Sequence, residues 1–147
     1  MISSGCAFSS EQLVAFDAAL IDAGISDYNL LRVSSILPAD CTQRDIVDVR
    51  PGSPLLVAYG SKSSDVMGEK IASAVGIGIP VKETDVGVIM EYADVCDAET
   101  AEKKVREMVA VAMENHKIPY TEIKTSSIET VVSEEGWSTV ISSVAMW

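Results

Sequence analysis

The sequence predicts an α+β sandwich built on a mixed or mainly antiparallel sheet. Three observations predict it. Three helical patterns alternate with short apolar runs of strand character, and two further strand patterns close the chain. At 147 residues and 48% hydrophobic composition, the chain can bury one substantial core, so residues 1–147 are read as a single domain.

The first helix follows Ser9, which with Gln12 resembles a capping box, and it runs to the Ala23-Gly24 stop. Its expected apolar stripe contains Leu13, Phe16, Leu20 and Ala23, with Asp17 at the edge, where a carboxylate needs a partner. A turn at Gly24 to Tyr28 leads into a strand over Asn29 to Ser34, which Ile36-Leu37-Pro38 ends. Ala39 to Ser53 is polar and reads as a loop, with Pro51-Gly52 as its turn signal.

Leu55 to Tyr59 is the next expected strand, and a helix is expected from Gly68 to Val75 after possible caps at Ser64 and Asp65. Gly76, Gly78 and Pro80 break that pattern. Asp85 to Tyr92 gives a strongly apolar strand that holds Glu91. Asp97 caps a long amphipathic helix to Asn115, with Ala101, Val105, Met108, Val109 and Ala112 on its buried face. Thr121 to Val132 and Ser138 to Met146, joined by Glu134-Glu135-Gly136, read as a terminal hairpin.

Composition excludes several functions. The net charge of −11 repels phosphate backbones, and no basic patch offsets it, so nucleic acid is not an expected partner. No apolar run approaches the roughly 20 residues of a membrane span. The opening MISSGCAFSS has neither a basic region nor an apolar core, so a cytoplasmic location is expected. Cys6, Cys41 and Cys96 form no CxxC pair, which suggests reduced thiols rather than a zinc site or disulfide framework. The one histidine, His116, sits at a helix end. Nucleotide loops are missing too: Gly76-Ile77-Gly78-Ile79-Pro80 lacks the third glycine of a dinucleotide fingerprint.

One stretch asks for a chemical explanation. Ser34-Ser35 ends an apolar strand and is followed by a proline-forced turn. Serine pairs recur at positions 3–4, 9–10, 63–64, 126–127 and 142–143, so the pair alone is weak. A tight turn that uses serine hydroxyls on backbone groups is one reading. The other is a hydroxyl held against the preceding carbonyl carbon, which makes an inert amide reactive.

The run GISDYNLLRVSSILP resembles the self-cleavage segment of the archaeal pyruvoyl-dependent arginine decarboxylases. AFDAAL, AYGSKSSDVMGE, VGVIMEYAD, AEKKVREM and the closing Ala145-Met146-Trp147 continue the resemblance in order from about Phe16 onward. The resemblance implies an αββα sandwich and a proenzyme that cuts itself between Ser34 and Ser35, giving a β chain of residues 1–34 and an α chain of residues 35–147. Ser35 would become the pyruvoyl group, the only cofactor, with no metal and no pyridoxal phosphate. Asn29 matches the asparagine that assists processing, Glu91 the catalytic glutamate, and Asp17 the aspartate that recognises the guanidinium of the substrate. The implied reaction is L-arginine to agmatine and carbon dioxide, through a Schiff base and an electron sink, in a trimer of αβ units with sites between neighbours.

Two departures stand out. The segment before Ser9 is short for an opening strand, so an edge of the sheet is expected to be missing or rebuilt, and Pro38-Ala39 replaces a Pro-Pro pair. Two other functions compete: the same chemistry on another amino acid or on S-adenosylmethionine, and an uncleaved trimeric scaffold that binds a metabolite.

Overall fold

The computed structural model describes residues 1–147 as two four-stranded sheets, each covered by one helix. The elements in order are β1 (Ile2–Ser9), α1 (Gln12–Asp22), β2 (Asn29–Arg32), β3 (Ile36–Leu37), β4 (Pro54–Ser64), β5 (Lys70–Pro80), β6 (Gly87–Asp94), α2 (Ala98–Asn115), β7 (Tyr120–Val131) and β8 (Trp137–Met146). The first sheet has the order β1-β8-β4-β2 and the second β3-β6-β5-β7. All pairings are antiparallel except β2 on β4. With α1 on the first sheet and α2 on the second, this is the expected αββα sandwich. Neither helix is long and apolar enough to cross a membrane.

The opening segment is not short of a strand. β1 pairs with β8 along its whole length, from Ile2 opposite Val144 to Ser9 opposite Trp137, so that sheet edge is complete. The capping box does not form either. The N-cap of α1 is Glu11, without a side-chain cap, and Ser9 Oγ accepts only from the Glu11 N–H at 3.4 Å.

The stripe of α1 is also rotated from expectation. Ala15, Ala19, Leu20 and Ala23 are buried, whereas Leu13 is 78% exposed. The cause is the closeness of helix and strand: a Cβ at Gly5 of β1 would lie 2.4 Å from the Ala19 carbonyl oxygen and 2.5 Å from the Ala23 nitrogen. Only small residues fit at that distance, so the larger ones turn outward.

Residues 70–75, expected in a helix, belong to β5. This strand is sandwiched between α2 and the other sheet, so Ile71 to Gly78 are buried on both faces. Burial on both faces removes the alternation that would mark a strand. Gly76 and Gly78 are strand residues whose missing side chains admit Val105, Val109 and Met113 of α2. On α2 itself, Asp97 caps as expected, accepting from the Thr100 N–H at 2.7 Å.

The terminal pair is not a hairpin. β7 pairs with β5 and β8 pairs with β1 and β4, so the link between them crosses from one sheet to the other. Gly136 makes that crossing with a φ of 143°, its α-carbon against Phe8 and the Ser9 carbonyl.

Between the sheets lie Leu37, Ala58, Val75, Ile77, Ile89 and Val144, beside a seam of serines. Ser142 Oγ donates to the Ser73 carbonyl at 3.0 Å, and Ser73 Oγ to the Gly60 carbonyl at 2.8 Å. Ser142 has then spent its proton, so Ser4 donates to it at 2.8 Å, and Ser126 donates to Ser4 at 2.7 Å. Every buried polar side-chain atom has a partner.

Candidate active site

The chain passes from one sheet to the other within three residues. β2 ends at Arg32, and the Val33 N–H still donates to the Val57 carbonyl of the first sheet at 3.2 Å. Two residues later, the Ser35 carbonyl accepts from the Ile89 N–H of the second sheet at 2.8 Å. Ser34 spans the gap, exposed, with no side-chain hydrogen bond. Ser35 carries a φ of 67°, in the left-handed region. For a residue with a Cβ this costs about 1 kcal/mol or more, and it persists only where the surroundings impose it.

What imposes it includes the hydroxyl of Ser35. Its Oγ stands 3.1 Å and 3.0 Å from the two carboxylate oxygens of Glu91, so its single proton is shared between them. Strand alternation on β6 sends Glu91 into the space between the sheets, where its side chain is 19% exposed. The next residue, Tyr92, points the other way, toward Ala101 and Val105 of α2. Its hydroxyl donates to Asp94 at 3.1 Å, and that bond, with a smaller contribution from desolvation, raises the phenol above its ordinary range.

A cation completes the group. Arg32 Nη2 lies 3.8 Å from Glu91 Oε1 and donates to the Tyr59 carbonyl at 3.1 Å, while its guanidinium carbon stands 4.8 Å from the centroid of the Tyr59 ring. The Tyr59 ring also meets Phe16 of α1, ring centroids 6.2 Å apart. The sequence reading passed over Arg32 and Tyr59. The available signal was an arginine in an otherwise apolar run, LLRV, directly before the serine pair.

The structure thus joins Ser35 to Glu91, with Ser34 in the crossover. It does not bring Asn29 or Asp17 to them by any hydrogen bond or ion pair within the chain. Asn29 Nδ2 donates to the Gly52 carbonyl at 2.7 Å and fastens the start of β2. Asp17, beside Phe16 on α1, is exposed, and its carboxylate is free of hydrogen bonds and ion pairs. No three of the His, Cys, Asp and Glu side chains converge as metal ligands would.

The profile of one family, described as pyruvoyl-dependent arginine decarboxylase, matches residues 1–147. A pyruvoyl-dependent arginine decarboxylase of Methanocaldococcus jannaschii is 36% identical over 135 residues, covering 92% of this chain and 81% of the relative. The protein of the same name in Thermococcus kodakarensis is 36% identical over 135 residues, covering 91% of this chain and 85% of the relative. Among solved structures, a pyruvoyl-dependent histidine decarboxylase at pH 8 superposes with a TM-score of 0.57 at 15% identity. That match covers 67% of this chain and 52% of the other, and it supports the fold.

Proposed function

The chain belongs to the pyruvoyl-dependent arginine decarboxylase family, and from that premise we propose that it cuts itself between Ser34 and Ser35 and converts L-arginine to agmatine and carbon dioxide. The observation that carries the proposal is the Ser35 hydroxyl, held by both Glu91 oxygens at a left-handed residue in a crossover between sheets.

Processing needs a nucleophile and a proton acceptor beside the bond to be cut, and the Ser35 hydroxyl resting on the Glu91 carboxylate supports that assignment. As Ser35 Oγ bonds to the Ser34 carbonyl carbon, its proton passes to Glu91. The bond from that carbon to the Ser35 nitrogen then breaks, and the nitrogen takes the proton back, leaving an ester. Elimination across Cα and Cβ of Ser35 frees the Ser34 carboxylate, and hydrolysis with loss of ammonia leaves the pyruvoyl group at the start of residues 35–147. The group fits its surroundings because it is made from Ser35 in place.

Once formed, the group supplies a ketone for the substrate amine and an electron sink for the departing carboxylate. Glu91, beside Ser35, is assigned to deliver a proton to the substrate carbon. Asp17 is assigned to the guanidinium end, which a carboxylate can grip with two parallel bonds. Asn29 is assigned to processing. Since no contact ties Asp17 or Asn29 to Ser35 within one chain, both assignments go with a trimer whose sites lie between neighbours. The exposed Leu31, Ile36 and Leu56 flanking the crossover suit such an interface. A cytoplasmic location belongs to the same proposal.

The test is the intact mass of the purified protein under denaturing conditions. Two chains, split between Ser34 and Ser35 with a pyruvoyl mass on the second, support the reading. Product analysis with arginine, lysine, ornithine and S-adenosylmethionine then fixes the substrate. A single 147-residue chain that persists on long incubation would overturn self-processing and favour a binding scaffold.

A further inference from the structure

We propose that Arg32 is a positioning residue for Glu91, holding its carboxylate against Ser35 before the cut and joining the two chains at the active site after it. The inference rests on the roles of Ser35 and Glu91 given above. Arg32 Nη2 approaches Glu91 Oε1, one of the two oxygens that hold the Ser35 hydroxyl. A mostly buried carboxylate with one hydroxyl as its sole other partner can rotate, and rotation would take an oxygen off Ser35. A cation on Oε1 resists that rotation and balances the charge.

Arg32 is itself unusually fixed for a side chain that is 60% exposed. An arginine at such exposure ordinarily gains little from one ion pair, because ordering it costs rotamer entropy. Here the Tyr59 carbonyl and the face of the Tyr59 ring take two further contacts, so the guanidinium is already oriented when it meets Glu91. The cut also separates these partners. Arg32 remains with residues 1–34 while Tyr59 and Glu91 lie in residues 35–147, so the contact becomes one between chains.

The test measures self-cleavage of the full chain, newly made by cell-free translation, as the fraction cut against time. Arg32→Met is expected to slow cleavage about fivefold, the upper worth of an ion pair at a partly exposed site. Arg32→Lys should recover part of the loss. Cleavage of Arg32→Ala should be accelerated more by free guanidinium ion than by ammonium at equal ionic strength, a response that a fold defect would not give. Arg32→Met combined with Glu91→Gln should be no slower than Glu91→Gln alone.

Three results would overturn the role of Arg32: wild-type cleavage by Arg32→Met, a slowed Arg32→Ala indifferent to guanidinium, or losses that multiply in the double variant. If Arg32→Met does not fold, Arg32→Lys and the guanidinium response of Arg32→Ala decide the question. A wild-type chain that never cuts would instead overturn the functional reading, and Arg32 falls with it.

Discussion

Gly60 of β4 and Glu91 of β6 face each other across the two sheets, so close that a Cβ on the glycine would stand 3.4 Å from the Glu91 Cβ and 3.3 Å from the Tyr92 nitrogen. The Gly60 carbonyl is meanwhile held by buried Ser73. The depth at which Glu91 sits between the layers is therefore set by the absence of one methyl group.

Gly60→Ala should push β6 back by a few tenths of an ångström and lift Glu91 from Ser35. Self-cleavage is expected to slow about tenfold, with a loss of about 1 kcal/mol in stability. Cleavage kinetics beside a denaturant titration check this. Wild-type kinetics in the variant would show that the carboxylate does not depend on this approach.

Ser34 and Ser35 should respond differently to loss of the hydroxyl. Ser35→Ala lacks the nucleophile and is expected to stay a single chain. Ser34→Ala keeps the carbonyl and loses a side chain that makes no hydrogen bond, so it should still cut. Intact masses read both, and a cut Ser35→Ala would exclude the acyl shift.

Glu91→Gln keeps the shape of the side chain and removes its ability to take or give a proton. Carbon dioxide release per processed chain should fall about 100-fold or more, the usual worth of a general acid or base. Circular dichroism should be unchanged. Undiminished turnover would move the proton to another group.

Gly76 and Gly78 both admit α2, but against different neighbours. A Cβ at Gly76 would lie 2.4 Å from Val105 Cγ1, and one at Gly78 would lie 2.6 Å from Met113 Cγ. Valine in a helix has essentially one rotamer, whereas methionine can rearrange. Gly76→Ala is expected to cost about 2 kcal/mol and Gly78→Ala less. Equal losses in a denaturant titration would refute the distinction.

Glu102 links acid stability to the packing of α2 on β7. Hydrogen bonds from Arg106 first and Thr125 next hold its carboxyl below the ordinary carboxylate range, with a smaller contribution from Ser127. A depressed folded-state value gives stability that is fully present above the unfolded value, roughly 4.3, and is lost as pH falls through the folded one. The stability gap between wild type and Glu102→Gln should be widest near pH 7 and shrink as pH falls below the unfolded value. A gap independent of pH would assign the difference to packing.

Much of the architecture was legible because local and tertiary preferences agree. α2 has an unmistakable stripe and a capping aspartate, and both appear where expected. β5 misled because its two covered faces erase periodicity, and the β7-β8 link misled because a short turn between strand patterns looks alike within a sheet and between sheets. The Ser34-Ser35 pair stood out by its context, the roles of Ser35 and Glu91 came from resemblance to a family, and the contact between those two follows from a crossover that no local pattern signals. Arg32 escaped notice because its importance lies in three contacts made 27 and 59 positions away.

The placement of the crossover has a further consequence. Everything before the proposed cut, β1, α1 and β2, belongs to the first sheet and its cover, and in the order β1-β8-β4-β2 it forms both outer strands. The shorter fragment therefore grips the β8-β4 pair from both flanks, with α1 laid over that sheet between the two ends. Pulling it away would mean unzipping two ladders and lifting a helix together. The proposed cut would thus be an incision in a finished garment rather than a separation of its pieces: it would open one seam and leave every strand beside its neighbour.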